Sequence, residues 1–132
     1  MRRQFRLPEQ DEDFLDALGY PWETVVEPSG RWLLLHGYKV QPAGYARAIA
    51  DMGISVAPGY PDVQLDMMFF HPHLVRADGR PLGAVSGGHP FDGRDWQRWS
   101  RHRTGANPWR PGVDDLSTHF GLVDEWLARE FR

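Results

Sequence analysis

The spacing of apolar residues changes character along this chain, and each change predicts an element. Phe14, Leu15 and Leu18 fall on one helical face behind the acidic run Glu9-Gln10-Asp11-Glu12-Asp13, which favours the positive end of a helix dipole. Pro8 precedes this stretch and Gly19 stops it, so a short capped helix is predicted. Tyr20-Pro21-Trp22 makes a rigid corner. Glu23 to Glu27 and Arg31 to Val40 then read as two strands joined through the turn Pro28-Ser29-Gly30. Ala46 to Val56 alternates and predicts a third strand, ended at Pro58-Gly59-Tyr60-Pro61 because proline supplies no ladder N–H. Val63 to Phe70 is the densest apolar run. It is too short for a helix between its flanking prolines and predicts a fourth, central strand.

Val75 to Pro108 keeps no period and is dense in glycine, proline, tryptophan and arginine, which predicts a long ordered loop. From Leu116 the apolar residues Phe120, Val123, Trp126 and Leu127 return at helical spacing behind Asp114-Asp115, predicting an amphipathic last helix. The expected class is α+β: N-terminal helix, four-strand antiparallel meander, long loop, C-terminal helix. At 132 residues and 41% hydrophobic, residues 1–132 are expected to form a single domain.

Composition alters this picture in one respect. The net charge of -3 supplies no global attraction for nucleic acid, and Arg2, Arg3 and Arg6 ahead of the acidic run read as a solvated helix start. No apolar stretch has the length of a signal segment or a membrane span, so a soluble, cytoplasmic protein without a membrane partner is expected. The chain has no cysteine, which excludes disulfides, thiolate metal sites and thiol nucleophiles.

That absence matters because of the motifs. Tyr60-Pro61 leading into Val63 to Phe70 resembles the YP turn and fourth strand of ubiquitin-conjugating enzymes. His71-Pro72-His73 stands where that family has HPN, Ala77-Asp78-Gly79 resembles the turn before its cysteine, and Trp109-Arg110-Pro111 matches its W-x-P, ahead of the helix Leu116 to Leu127. More narrowly, the Gln-Arg-Trp-Ser-Arg-His run from Gln97 and the Trp-Arg-Pro-Gly-Val-Asp-Asp segment from Trp109 resemble the bacterial proteins called prokaryotic family E. The resemblance implies a ubiquitin-conjugating-enzyme-like fold, with the long loop as active-site loop. It also implies a ubiquitin-like protein, an activating enzyme and a metal-dependent deconjugating peptidase as companions in a bacterial conjugation system of the antiviral-defence kind.

Two departures reshape the expected chemistry. Counted from the glycine of the turn, the family cysteine falls at Leu82, and the HPN asparagine is His73. Thioester chemistry is thereby lost, and a hydroxyl would have to carry the acyl group as an oxyester, with a base to ionise it. Ser100 lies in Trp99-Ser100-Arg101-His102, where His102 could take its proton and Arg101 or a backbone amide could meet the oxyanion. On a strand Ser100 and His102 share a face; on a helix they do not. Ser100 has a competing structural role, hydrogen bonding to backbone beside two packing tryptophans.

Ser86, in Gly83-Ala84-Val85-Ser86-Gly87-Gly88-His89, ranks second. It is nearer to the lost cysteine position and has His89 close behind, but it sits among glycines that preorganise little. His73 is expected to help the oxyanion or to brace the loop, His71 to hydrogen-bond in the interior, and Trp109 with Pro111 to hold the loop against the last helix.

A zinc site from His71, His73, Asp78, His89 and His102 lacks any established ligand spacing, so no metal and no cofactor is expected. The arginines and tryptophans from Asp92 to Arg110 carry a local charge of +3 and read better as contacts to a protein partner than as a nucleic-acid platform. The expectation is an acyltransferase of the conjugating type. The alternative is an inactive variant that binds a ubiquitin-like protein or its activating enzyme as a scaffold.

Overall fold

A computed structural model describes residues 1–132. The elements are α1 (Glu9–Leu18), β1 (Trp22–Glu27), β2 (Gly30–Lys39), β3 (Ile49–Ser55), β4 (Met68–His71), β5 (Val85–Phe91), β6 (Arg94–Trp99) and α2 (Leu116–Arg129). One antiparallel sheet has the strand order β1-β2-β3-β4-β6-β5. Helix α1 ends on Gly19, whose φ of 84° is the left-handed conformation that glycine adopts without steric cost. Helix α2 opens on a capping box in which the Asp115 carboxylate accepts from Thr118 N–H and the Thr118 hydroxyl oxygen accepts from Asp115 N–H. No helix is long and apolar enough to cross a membrane.

The sheet has six strands, where the apolar pattern predicts four. The segment expected as loop between Val75 and Pro108 contains the hairpin β5–β6, turned by Asp92-Gly93 with φ of 51° and 68°. Positive φ at both central residues is the mark of a two-residue hairpin turn, and Asp-Gly is its preferred sequence. The third and fourth strands are shorter than expected. Gln64 and Asp66 interrupt the apolar run, and Met67, at φ 58°, turns the chain into β4.

Two apolar clusters sandwich the sheet. The larger packs α1 and α2 on one face through Leu15, Leu33, Met52, Phe70, Trp99, Phe120 and Leu127. The smaller occupies the other face: Val25, Trp32, Leu34, Phe69, Phe91 and Trp96. Its spine is a stack of three rings, Trp32 on Phe91 at 3.7 Å and Phe91 on Trp96 at 4.5 Å between centroids. Phe91 therefore carries the tip of the hairpin back across β2 and β3. A Cβ at Gly53 of β3 would lie 2.9 Å from the Phe91 ring, so glycine makes room for it.

Charge fastens the same tip. Arg2 bridges Glu23 of β1 at 2.9 Å and Asp92 of the turn at 2.8 Å, Arg94 pairs with Asp51 at 2.7 Å, and Asp92 N–H donates to the Glu27 carboxylate. The Arg2 guanidinium, helped by His36, outweighs burial and holds the Glu23 carboxyl down to about 2.

Candidate functional site

The hairpin carries an irregularity at its exposed end. Ser86 is paired with Arg98 and His89 with Trp96, so Gly87 and Gly88 form a bulge between them. In a regular strand residues three apart face opposite ways; one extra residue brings them to the same side. Ser86 and His89 consequently share a face, and Ser86 Oγ lies 3.0 Å from His89 Nε2. With Nε2 unprotonated, the hydroxyl donates to it, the geometry of a nucleophile and its base. The His89 ring stands edge-on to Phe69, with centroids 5.8 Å apart, which fixes its plane.

Arg98 lies opposite Ser86, and its Nε donates to Ser100 Oγ at 3.1 Å. Two hydroxyls and one guanidinium thus occupy neighbouring positions on the hairpin, Arg98 touching Ser100 and standing opposite Ser86 in the ladder. Sequence spacing did not single out Arg98, because only the strand pairing sets it opposite Ser86.

His73 follows β4 and packs against the bulge. A Cβ at Gly87 would lie 2.7 Å from the His73 ring, so a side chain there would displace it. The ring is oriented by Asp95, with Nε2 3.1 Å from the carboxylate, while His71 Nδ1–H donates to the Asp95 carbonyl at 3.0 Å. Asp95 is a second residue that the sequence did not flag. His71 is half-buried, hydrogen-bonded at that carbonyl, with its ring tilted against Trp96.

The structure does not join Ser100 to His102. Strand β6 ends at Trp99, so the alternation that would align them does not extend to His102. Ser100 N–H donates to the Ala84 carbonyl at 2.8 Å, and His102 Nδ1 is 2.9 Å from the Asp66 carboxylate. Arg101 is held at 2.5 Å by Glu130 at the end of α2 and also donates to the Gly83 carbonyl at 3.2 Å. It clamps the segment that contains Leu82 to the helix. Leu82 itself is half-buried and packs against the larger core.

Trp109 braces a different place from the one expected. Its indole N–H donates to the Pro61 carbonyl at 3.0 Å, and its ring lies beside Tyr60. The Tyr60 hydroxyl in turn donates to buried Asp11 at 2.5 Å, and Asp11 accepts Leu116 N–H at 3.3 Å. Pro111 is exposed. The Tyr60-Pro61 turn, α1 and the start of α2 are thereby joined through one carboxylate, Asp11, whose pKa burial pushes above the usual range. No three of the histidine, aspartate and glutamate side chains converge in a way that could hold a metal ion.

The family model of prokaryotic E2 family E matches residues 7–130. No curated protein and no solved structure matches the chain.

Proposed function

We propose a function on one premise: this chain belongs to prokaryotic E2 family E. The family is E2-like, which supports a role in ubiquitin-like conjugation in general, with a ubiquitin-like protein and an activating enzyme as the kinds of partner. Within that setting we infer that Ser86 accepts the C-terminal acyl group of the ubiquitin-like protein as an oxyester and passes it to an amine or hydroxyl of a target.

One observation carries the assignment to Ser86: the 3.0 Å approach of its hydroxyl to His89 Nε2, beside Arg98. His89 takes the Oγ proton as the Oγ–acyl bond forms. The thioester C–S bond to the activating enzyme breaks, and the departing thiolate takes up the proton from His89. Arg98 supplies positive charge where the tetrahedral oxyanion develops. His73, held by Asp95 against Gly87, is a positioning residue for the bulge that sets Ser86 and His89 on one face. Ser100, on the other side of Arg98, is the next hydroxyl in the same patch.

The test is intact mass after incubation with the activating enzyme, the ubiquitin-like protein and ATP, in wild type, Ser86→Ala, Ser100→Ala and His89→Ala. An adduct that survives thiol reductant, is cleaved by hydroxylamine, and disappears in Ser86→Ala is expected. Its persistence in Ser86→Ala with loss in Ser100→Ala would move the nucleophile to Ser100. No adduct while the activating enzyme is itself charged would favour a second function, that of a non-catalytic scaffold for the ubiquitin-like protein. Two features support that second function: half-buried Leu82 stands at the position counted for the family cysteine, and no carboxylate hydrogen-bonds to Nδ1 of His89.

A further inference from the structure

The sheet has two outer strands, β1 and β5, and the chain treats them differently. The β1 edge is covered by the N-terminal segment. Gln4 N–H donates to the Thr24 carbonyl at 2.9 Å, Thr24 N–H donates to the Arg2 carbonyl at 3.1 Å, and Val26 N–H donates to Gln4 Oε1 at 2.7 Å. No segment of the chain pairs with the outer side of β5. An uncovered row of backbone donors and acceptors is a template for another strand, and folded proteins ordinarily cover or blunt it.

The strand's own pattern shows which part is open. Ser100 N–H donates to the Ala84 carbonyl at 2.8 Å, so Ala84 and, two residues on, Ser86 face β6. Val85 between them turns its N–H and C=O outward. Beyond the bulge, the register Pro90 to Asp95 puts proline at an outward position, where its missing N–H blunts the edge. The edge is therefore blocked at Pro90 and open from Val85 to Gly88. Ser86, Gly87 and Gly88 are all exposed, and the two glycines put no side chain in the way of an approaching backbone.

Ser86 lies within this open stretch. A strand added at the usual spacing of ~4.8 Å would run alongside it. A residue laid opposite Val85 would turn its side chain to the face Val85 shares with Trp99. On that face lies a cleft of about 230 Å³ lined in part by Leu74, Val75, Leu82 and Val85. The next residue would lie opposite Ser86.

We propose that the β5 edge from Val85 to Gly88 is a β-addition site for an extended peptide, and that its occupant is the C-terminal tail of the ubiquitin-like protein. The identity of the occupant rests on the function proposed above; the open edge does not. Main-chain pairing holds the tail in register, the cleft takes one apolar side chain of it, and its terminal carbonyl carbon comes to rest beside the Ser86 hydroxyl.

The test uses the full chain labelled with ¹⁵N and two probes: a short synthetic peptide alternating valine and glycine with a free carboxyl terminus, and the same peptide N-methylated at alternate residues. Saturable shifts of the Val85 and Gly87 amides with the first peptide are expected, together with slowed exchange of the Val85 amide. Binding of the N-methylated peptide should be weaker by at least about ten-fold, the effect of losing backbone hydrogen bonds. The intact ubiquitin-like protein should move the same amides, and a version lacking its tail should not.

Equal binding of both peptides, or shifts confined to the helices, would overturn the edge site. So would concentration-dependent shifts of these amides without peptide, which would assign the edge to a second copy of the chain. A Ser86 ester formed without edge shifts would overturn this inference and leave the acyl-transfer function standing. Edge shifts without any ester would do the reverse.

Discussion

His119 of α2 should make the stability of this protein fall as the pH drops below neutrality. It is 1% exposed, its Nε2–H donates to the Met67 carbonyl at 2.8 Å, and its Nδ1 meets no partner. Burial, with some help from nearby Arg103, holds the imidazole down to about 4 from an ordinary 6.5. As pH falls, the unfolded chain takes up the proton first. The contribution is intact above 6.5 and is lost progressively as pH falls toward 4. Each unit of the gap corresponds to about 1.36 kcal/mol, so the full loss is roughly 3.4 kcal/mol, of which about 2 kcal/mol is already gone at pH 5.

His119→Gln keeps an N–H for the Met67 carbonyl but does not titrate. Urea unfolding followed by tryptophan fluorescence at pH 8, 7, 6 and 5 would measure the difference between wild type and variant. The other five histidines are common to both chains and cancel to first order. The variant should gain on wild type by about 2 kcal/mol between pH 8 and pH 5. Parallel curves across that range would refute the burial of a neutral imidazole at this position.

Two further outcomes are expected. Gly53→Ala would drive a methyl to 2.9 Å from the Phe91 ring and unseat it from Trp32, at about 1–3 kcal/mol; combined with Phe91→Ala it should cost less than the sum of the two, measured by the same urea curves. Tyr60→Phe would leave the buried Asp11 carboxylate without its hydroxyl donor, at about 1–3 kcal/mol near neutral pH; because burial raises the Asp11 pKa, the deficit should shrink as pH falls, and a constant deficit in unfolding experiments would contradict that.

Much of the framework is legible in the residue pattern. The acidic start and Gly19 delimit α1, and the helical recurrence after Asp115 delimits α2. The hairpin β5–β6 is not. Val-Ser-Gly-Gly-His-Pro-Phe lacks the alternation and the strand formers that would identify β5, and it takes its form from pairing with β6. One local signal does exist, since Asp92-Gly93 is a hairpin turn sequence, but apolar periodicity alone passes over it.

The serines show the same limit. Alternation would set Ser100 and His102 on one face only if a strand ran through both, and β6 ends at Trp99; Ser86 ranks second in the sequence for its flexible glycines, yet the bulge those glycines form is what sets it beside His89. Gly87 is needed to seat His73, a long-range requirement that no local spacing encodes.

The bond between Arg2 and Asp92 closes a loop of 90 residues. Contacts that far apart form late, because the chain must forfeit the freedom of the whole intervening segment before they repay it. The contacts of the hairpin tip with β1 and β2 are thus expected to be secured after the local pairing of β5 with β6. A growing chain displays Trp32 and its apolar neighbours until Phe91 arrives to cover them; local β5–β6 pairing sets the serine beside the histidine, whereas the step that buries this sticky face during synthesis is the closing of the tip. Chains stalled before it should aggregate rather than persist as soluble, inactive molecules.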